Sequence, residues 1–392
     1  MPATDYQASF LGRISIRRNQ VIAMDGNHEQ ELQDLELFSK HVSERFAELL
    51  SSPDDIPFDA LLSISWLRKL LDFFLCCEAE FKGILMMGND PSQISKPPLD
   101  RLIPEFLDRS VKALDVCNAV TNGLESVRHY QKLAEIVVSA LEQKPIGDGQ
   151  SRRAKKALTS LMSAMNVDDK ECSAAKATER SWSFSRRGVS SKDRVPEHFR
   201  SVSNQVAKNW SAAKQIQAMT NNLVPPRGAE GSGLASPVYT MSVIMVFVMW
   251  ALVAAIPCQE RNGLSAIHFP APKQLNWAQS IIGLHEKIGE EWKKKEKKGT
   301  AGLLDEMQKM EKLGNILMDF TDSFQFHGDI TDQKAEEAAA RAAELAETCR
   351  RMEEGLLPLQ MQIREVFHRI VKTRTELLNA LDQVGKSSPP LL

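Results

Sequence analysis

An excess of charge of either sign is the first thing missing from this sequence. Its 49 Lys and Arg residues nearly offset 51 Asp and Glu, leaving a formal net charge of −2 at pH 7 over 392 residues. Such a balance exerts no global pull on nucleic acid or anionic lipid, so any attraction of that kind has to be local. No CxxC pair occurs among the six cysteines, Cys76, Cys77, Cys117, Cys172, Cys258 and Cys349. Most of them fall in apolar helical patterns, which fits reduced thiols in a cytosolic setting rather than a disulfide framework. No two of the eight histidines have the spacing of a helical zinc site, and "HEKIG" at His285 lacks the second histidine of a metalloprotease helix. There is no GxSxG elbow. "GAEGSGLAS", around Gly231 and Gly233, has no strand before it and no Lys-Ser/Thr pair after it, so it makes a poor phosphate loop. The adjacent Asp168 and Asp169 would diverge rather than share a task. No catalytic, cofactor-binding or metal-ligating residue can therefore be nominated, and no enzyme is expected.

Two further absences bear on architecture. Few segments alternate with a period of two, which disfavours a sheet. No repeat recurs at a fixed interval, which disfavours a solenoid. The first residues hold no apolar run suited to a secretory signal, and Pro2 excludes N-myristoylation of the usual kind. If any part of the chain enters a membrane, it is expected to be a long uncharged stretch near the middle.

What is present is helical periodicity. Hydrophobic residues make up 43% of the chain and charged residues 26%, ordinary values for a folded protein able to bury a large core. Leu35, Phe38, Val42, Phe46 and Leu49 recur at three- and four-residue steps, so they share one helix face. Similar runs extend from about Phe58 to Met87, from Leu99 to Leu141 and from Ser151 to Met165. Others pass through Trp210 and Ile216, through Trp277 and Trp292, and through Leu303 and Phe320. The last, from about Thr331 to Val384, contains Pro358, which is expected to kink or split it. The expected fold is all-α: long amphipathic helices in an elongated bundle, with one fully apolar central helix. Its parts would be an N-terminal arm (1–26), an N-terminal helical region (27–167) and a Ser/Arg-rich linker (168–196). A helix and loop (197–236), the apolar helix (237–257) and a C-terminal helical region (258–392) would follow. Within the linker, Arg180 and Arg187 precede Ser183 and Ser190 by three residues, making those serines candidate phosphorylation sites.

The apolar helix, "TMSVIMVFVMWALVAA" from Thr240, has no charge between Gly231 and Gln259. From Val238 to Ile256 it would span about 28 Å, just short of a hydrocarbon core about 30 Å thick. Ser236 suits an N-cap, Pro237 a first helical position, and Pro257 a stop. Val238, Val243, Val246, Trp250 and Ile256 mark a candidate membrane segment. With no polar face, the helix is surrounded either by lipid or by protein. Single-pass insertion, a buried central helix and a peripheral hairpin all remain open. Arg227 and Arg261 lie on opposite sides, so loop charge assigns no orientation. Nearby, "EEWKKKEKK" is a solvated helix end or a contact for acidic lipid or an acidic patch.

Four stretches read together carry a family resemblance: "SFLGRISIRRNQV", "FSKHVSERFAELL", "SISWLRKLLDFFLCCEAEFKGIL" and "LLPLQMQIREVFHRIVKTRTELLNAL". They resemble the plant ROH proteins, relatives of the BYPASS family, over nearly the whole chain. The resemblance implies an all-helical protein without catalytic residues and with one central transmembrane segment, here Pro237–Ile256. It also implies binding to an exocyst subunit of the Exo-seventy type and a role in polarised secretion. A BYPASS-like regulator of growth and developmental signalling is the alternative, and a lipid- or small-ligand-binding helical protein is a second. The expected location is membrane-associated with most of the chain cytosolic, or else soluble and cytoplasmic. The expected partner contact is the "EGLLPLQMQIREVFHRIVKTRTE" helix, through Arg364, Arg369 and Arg374, with Ile363, Phe367 and Ile370 serving the core.

Overall fold

A computed structural model describes residues 24–50, 61–87, 91–142, 146–166, 210–226, 233–258, 263–269, 275–296, 302–326 and 332–387. The linker at 168–196, with Ser183 and Ser190, lies outside these residues, as does the arm up to residue 23. Every regular element among them is helical. In chain order they are α1 (Met24–Leu50), α2 (Ile64–Met87), α3 (Leu99–Leu141), α4 (Asp148–Met165), α5 (Ala212–Thr220), α6 (Ala235–Ala255), α7 (Ala278–Glu296), α8 (Asp305–Phe326) and α9 (Asp332–Ser387). Short 3₁₀ turns occur at Pro91–Ser95 and Leu264–Ala266.

The two longest helices, α3 with 43 residues and α9 with 56, set the long axis of an elongated bundle. At 1.5 Å per residue they run about 65 Å and about 84 Å. α9 packs on α3, α2 and α8. Its inner face reads Leu345, Cys349, Met352, Leu356, Leu359, Ile363, Val366, Ile370, Thr373 and Leu377, all buried. The steps alternate three and four, the seven-residue repeat that keeps one seam against its neighbours over many turns. That seam explains why Pro358 does not divide the helix: α9 is a single element through it. Leu356 and Leu359 anchor the turn on both sides, and the lost hydrogen bond falls at Glu354, an exposed residue whose surroundings include water. Gly355 is required in the same turn. A Cβ there would lie 2.7 Å from Ile64 Cγ2, so only glycine lets α9 approach the start of α2 this closely.

The core is one continuous apolar cluster drawing on α1 through α9. α6 lies at its centre, against α3, α2, α5, α7 and α1. The helix starts two residues before the sequence suggested, with Leu234 at the N-cap position, so Pro237 occupies the third helical position rather than the first. Its missing N–H is still among the first-turn donors that have no intrahelical acceptor. At the other end Ile256 turns extended, as the residue before Pro257 must.

Candidate functional site: an enclosed helix and an exposed helix face

Every residue of α6 from Pro237 to Ala255 is buried. Val238 is 1% exposed, and Val243, Val246, Trp250 and Ile256 are 0% exposed. The five candidate membrane positions are therefore in contact with protein on all sides. By length and composition α6 is also the one helix among the described residues able to cross a membrane.

Its carboxyl end is tied into neighbouring backbone. The last carbonyls of a helix have no intrahelical donor and must find one if buried. Leu303 N–H donates to Ala254 O at 2.9 Å and Leu304 N–H to Ala255 O at 3.1 Å. The next residue, Asp305, donates to Leu62 O at 3.3 Å. Glu306 then accepts the first N–H of α2, that of Ile64, on both carboxylate oxygens at 3.1 and 3.2 Å. Ser63 Oγ accepts the Trp66 N–H at 3.1 Å, an N-cap for the same helix. The ends of α6, α2 and α8 thus meet in one buried polar joint. Burial pushes the Glu306 carboxyl above its usual range despite these donors. On the far side of α6, Arg109 of α3 is buried and caps α5 by donating to Met219 O at 3.1 Å and Asn222 O at 3.0 Å.

Close packing of α3 on α6 depends on Gly123. A Cβ at that position would stand 2.0 Å from Pro257 O and 2.8 Å from Ile256 Cγ2. Around Trp250 the side chains are aromatic. Its ring centroid is 6.1 Å from Phe247, 5.7 Å from Phe269 and 4.5 Å from His285 of α7. Trp250 Nε1 donates to Leu264 O at 3.2 Å. The His285 ring is hydrogen-bonded to the backbone at Ile267, while its Nε2 is buried with no partner. Burial lowers its pKa to about 4, so the ring is neutral near pH 7. Burial pushes the Cys117 thiol up to about 12. The five described cysteines are free, as structural thiols in apolar surroundings are expected to be.

On α9 the three candidate contact arginines do not share a face. Five residues turn a helix by about 140°, and the side chains differ accordingly. Arg364 is exposed, whereas Arg374 is half-buried, with its Nε out of solvent and unbonded. Arg369 is engaged within the chain. It pairs with Glu365 at 2.8 Å and, across to α2, with Glu78 at 3.4 Å. Glu78 is 4% exposed and also accepts from the Thr373 hydroxyl. Ile363 and Ile370 are buried and Phe367 packs at the edge of the core, as the spacing implies.

Sequence reasoning missed the outer face of α9. Leu357 is 60% exposed and Met361 55%, the two most exposed large apolar side chains described, and Val371 lies on the same face. With Glu354, Arg364 and His368 they form a second three-four series opposite the buried one. The spacing was visible in the sequence, but which of two such series faces inward is decided by packing. The Lys293–Lys295 end of α7 is partly neutralised, Lys294 by Glu291 and Lys295 by Glu311. No group of three or more His, Cys, Asp or Glu side chains able to hold a metal occurs among the described residues.

Comparison with known proteins adds a family assignment. Residues 1–381 match the family model described as "Protein ROH1-like". Protein ROH1A of Arabidopsis thaliana is 59% identical over 100% of both chains. Protein ROH1D of the same plant is 44% identical over 98% of this chain and 99% of its own length. UPF0496 protein 4 of Oryza sativa subsp. japonica is a distant relative, 23% identical over 69% of this chain. No solved structure matches.

Proposed function

The chain belongs to the ROH1-like family of plants, and from that premise we propose that it is a non-enzymatic helical interaction protein. In this reading it binds an exocyst subunit of the Exo-seventy type and so modulates polarised secretion. The observation that carries an interaction role is the outer face of α9, where Leu357 and Met361 stand in water beside the cations Arg364 and Lys372. Exposed apolar side chains grouped on one face mark contact surfaces more than scattered ones do. The partner's identity rests on the family resemblance.

The same proposal treats α6 as the central helix of a bundle that folds in water. Support comes from the backbone joint at Ala254 and Ala255 and from the contacts on every side of Val246. Moving α6 into lipid would strip apolar faces from α2 and α3 and leave those carbonyls without their donors, with several kcal/mol at stake for each unsatisfied group in hydrocarbon. Single-pass insertion is the competing reading, favoured by 21 apolar-rich residues in one helix.

The test of partner binding is biolayer interferometry of the full chain on a purified Exo-seventy-type subunit. Arg364→Glu combined with Arg374→Glu should weaken binding about tenfold or more, a loss of about 1.4 kcal/mol, with the helical circular dichroism unchanged. Arg369 is left intact in this test, because a glutamate there would face the buried Glu78 and threaten the fold itself. No measurable binding by the wild-type chain would remove the functional reading.

A further inference from the structure

We propose that the outer face of α9 is a self-association surface, on which a second copy of this chain lies antiparallel to the first. Its starting point is a face that the fold leaves uncovered. Leu357 and Met361 are more than half exposed and four residues apart. The series Glu354, Leu357, Met361, Arg364, His368 and Val371 keeps the three-four spacing of a helix-pairing seam. The opposite seam is already buried against α3 and α2, so this one has no occupant within the described chain.

Charge decides what occupies it. The N-terminal part of the face carries Glu344, Glu347 and Glu354 beside Arg350 and Arg351, a net acidic stretch, and the C-terminal part carries Arg364 and Lys372 beside Glu365, a net basic one. A second copy turned antiparallel about Leu359 puts Leu357 opposite Met361 of the second copy, and Met361 opposite its Leu357. The next layer on each side sets Arg364 against Glu354 of the second copy. Flanking that layer, Glu365 meets Arg351 and Lys372 meets Glu344 of the second copy. Each match occurs twice, because a two-fold axis repeats every contact. Two positions of the face lack an acid–base match: His368, which falls opposite Arg350, and Glu347, which falls opposite Val371. A parallel pair in register would instead set Arg364 against Arg364 and Glu354 against Glu354, so charge selects the antiparallel arrangement.

Two of the three cations concerned are available, while Arg351 is paired with Glu347 on its own helix. Arg364 and Lys372 are exposed, and no ion pair within the chain engages them among the described residues. Glu354 is held only by Arg350, an exposed pair on one helix, and such pairs are worth a few tenths of a kcal/mol. Exchanging that pair for one across the interface is cheap. A single helix seam is small beside the standard interface of about 1,600 Å², so the dimer is reversible and concentration-dependent. Arg364 serves both this surface and the proposed partner contact, so the two associations compete. The surface itself is independent of the partner reading, and it is tested with the chain alone.

The experiment is sedimentation velocity of the full chain, without partner, from about 1 to 100 μM. The wild type should move from 43.8 kDa toward twice that mass as concentration rises. Leu357→Glu with Met361→Glu should hold it at the monomer mass across the range. Arg364→Glu alone and Glu354→Arg alone should each shift the midpoint at least fivefold higher, and the double charge exchange should restore it to near the wild-type concentration. Circular dichroism verifies that these surface variants stay folded. A wild type that remains monomeric at 100 μM would overturn the proposal and leave the face to another protein. A dimer unmoved by the Leu357/Met361 change would place the interface elsewhere. Failure of the double exchange to restore association would overturn the antiparallel register.

Discussion

Gly123→Ala is a sharp test of whether α6 stays against α3, because two effects of known size oppose each other at that site. In the middle of a helix, alanine is favoured over glycine by about 1 kcal/mol. If nothing touches the new methyl, the substitution stabilises. Here the methyl carbon would start 2.0 Å from Pro257 O and 2.8 Å from Ile256 Cγ2. Carbon–oxygen contacts of even the closest favourable kind need about 3.3 Å, so the end of α6 must retreat by about 1 Å. The obstacle is backbone rather than the tip of a flexible side chain, and that backbone is fixed by the bonds from Leu303 and Leu304 just upstream. Overpacking of this kind typically costs about 1–3 kcal/mol, and backbone resistance puts it at the upper end. The net expectation is a loss of about 1–2 kcal/mol. Gly83→Ala in α2 is the matched control, since nothing lies within 4 Å of its Cβ position, and it should gain up to about 1 kcal/mol. Urea unfolding in detergent-free buffer, followed by tryptophan fluorescence, reads both. If Gly123→Ala stabilised the protein as much as Gly83→Ala, α3 and the end of α6 would not be in contact, and the reasoning would be refuted.

Two other outcomes follow from the buried polar groups. His285 binds its proton less readily when folded, at about 4, than an unfolded histidine does at about 6.5. The stability this neutral ring contributes is complete above about pH 6.5 and is lost as pH falls through the window toward 4. Discounted for its partial exposure, the loss between pH 7 and pH 5 is about 1 kcal/mol. His285→Phe, which keeps the aromatic packing with Trp250, should flatten that part of the pH profile, and an unchanged difference between pH 7 and pH 5 would count against the ring. Glu306→Ala leaves the buried Ile64 N–H without its acceptor and should cost about 1–3 kcal/mol. Glu306→Gln, whose amide oxygen can still accept, should lose less in the same denaturation assay, and equal losses would rule out the capping role.

The elements were legible in the sequence because each buries one face and therefore repeats its apolar residues every three or four positions. The apolar spacing from near Leu99 to Leu141 matches the helix Leu99–Leu141, because the periodicity is sustained along it. Pro358 does not split α9, because a proline inside a helix is a local signal, whereas the seam from Leu356 to Leu377 that holds the helix together is set by α2 and α3. Arg364, Arg369 and Arg374 looked like a set in sequence, yet five-residue steps scatter them around α9, and Arg369 is held by Glu78 from nearly three hundred residues away. Arg109 and Glu306 gave no signal at all. Their roles depend on the ends of α5 and α2, whose positions are tertiary facts. The apolar segment was unmistakable, but the medium around it was not, because lipid and a protein core select the same side chains.

That medium is the central claim, and fractionation of the full-length chain tests it most directly. The chain is expressed without detergent, membranes are washed with carbonate and high salt, and the supernatant is analysed by light scattering and circular dichroism. The account expects a soluble, helical, monodisperse protein at 43.8 kDa or twice that mass. A chain that stays in the washed membrane pellet and is released only by detergent would contradict it and restore α6 as a membrane span.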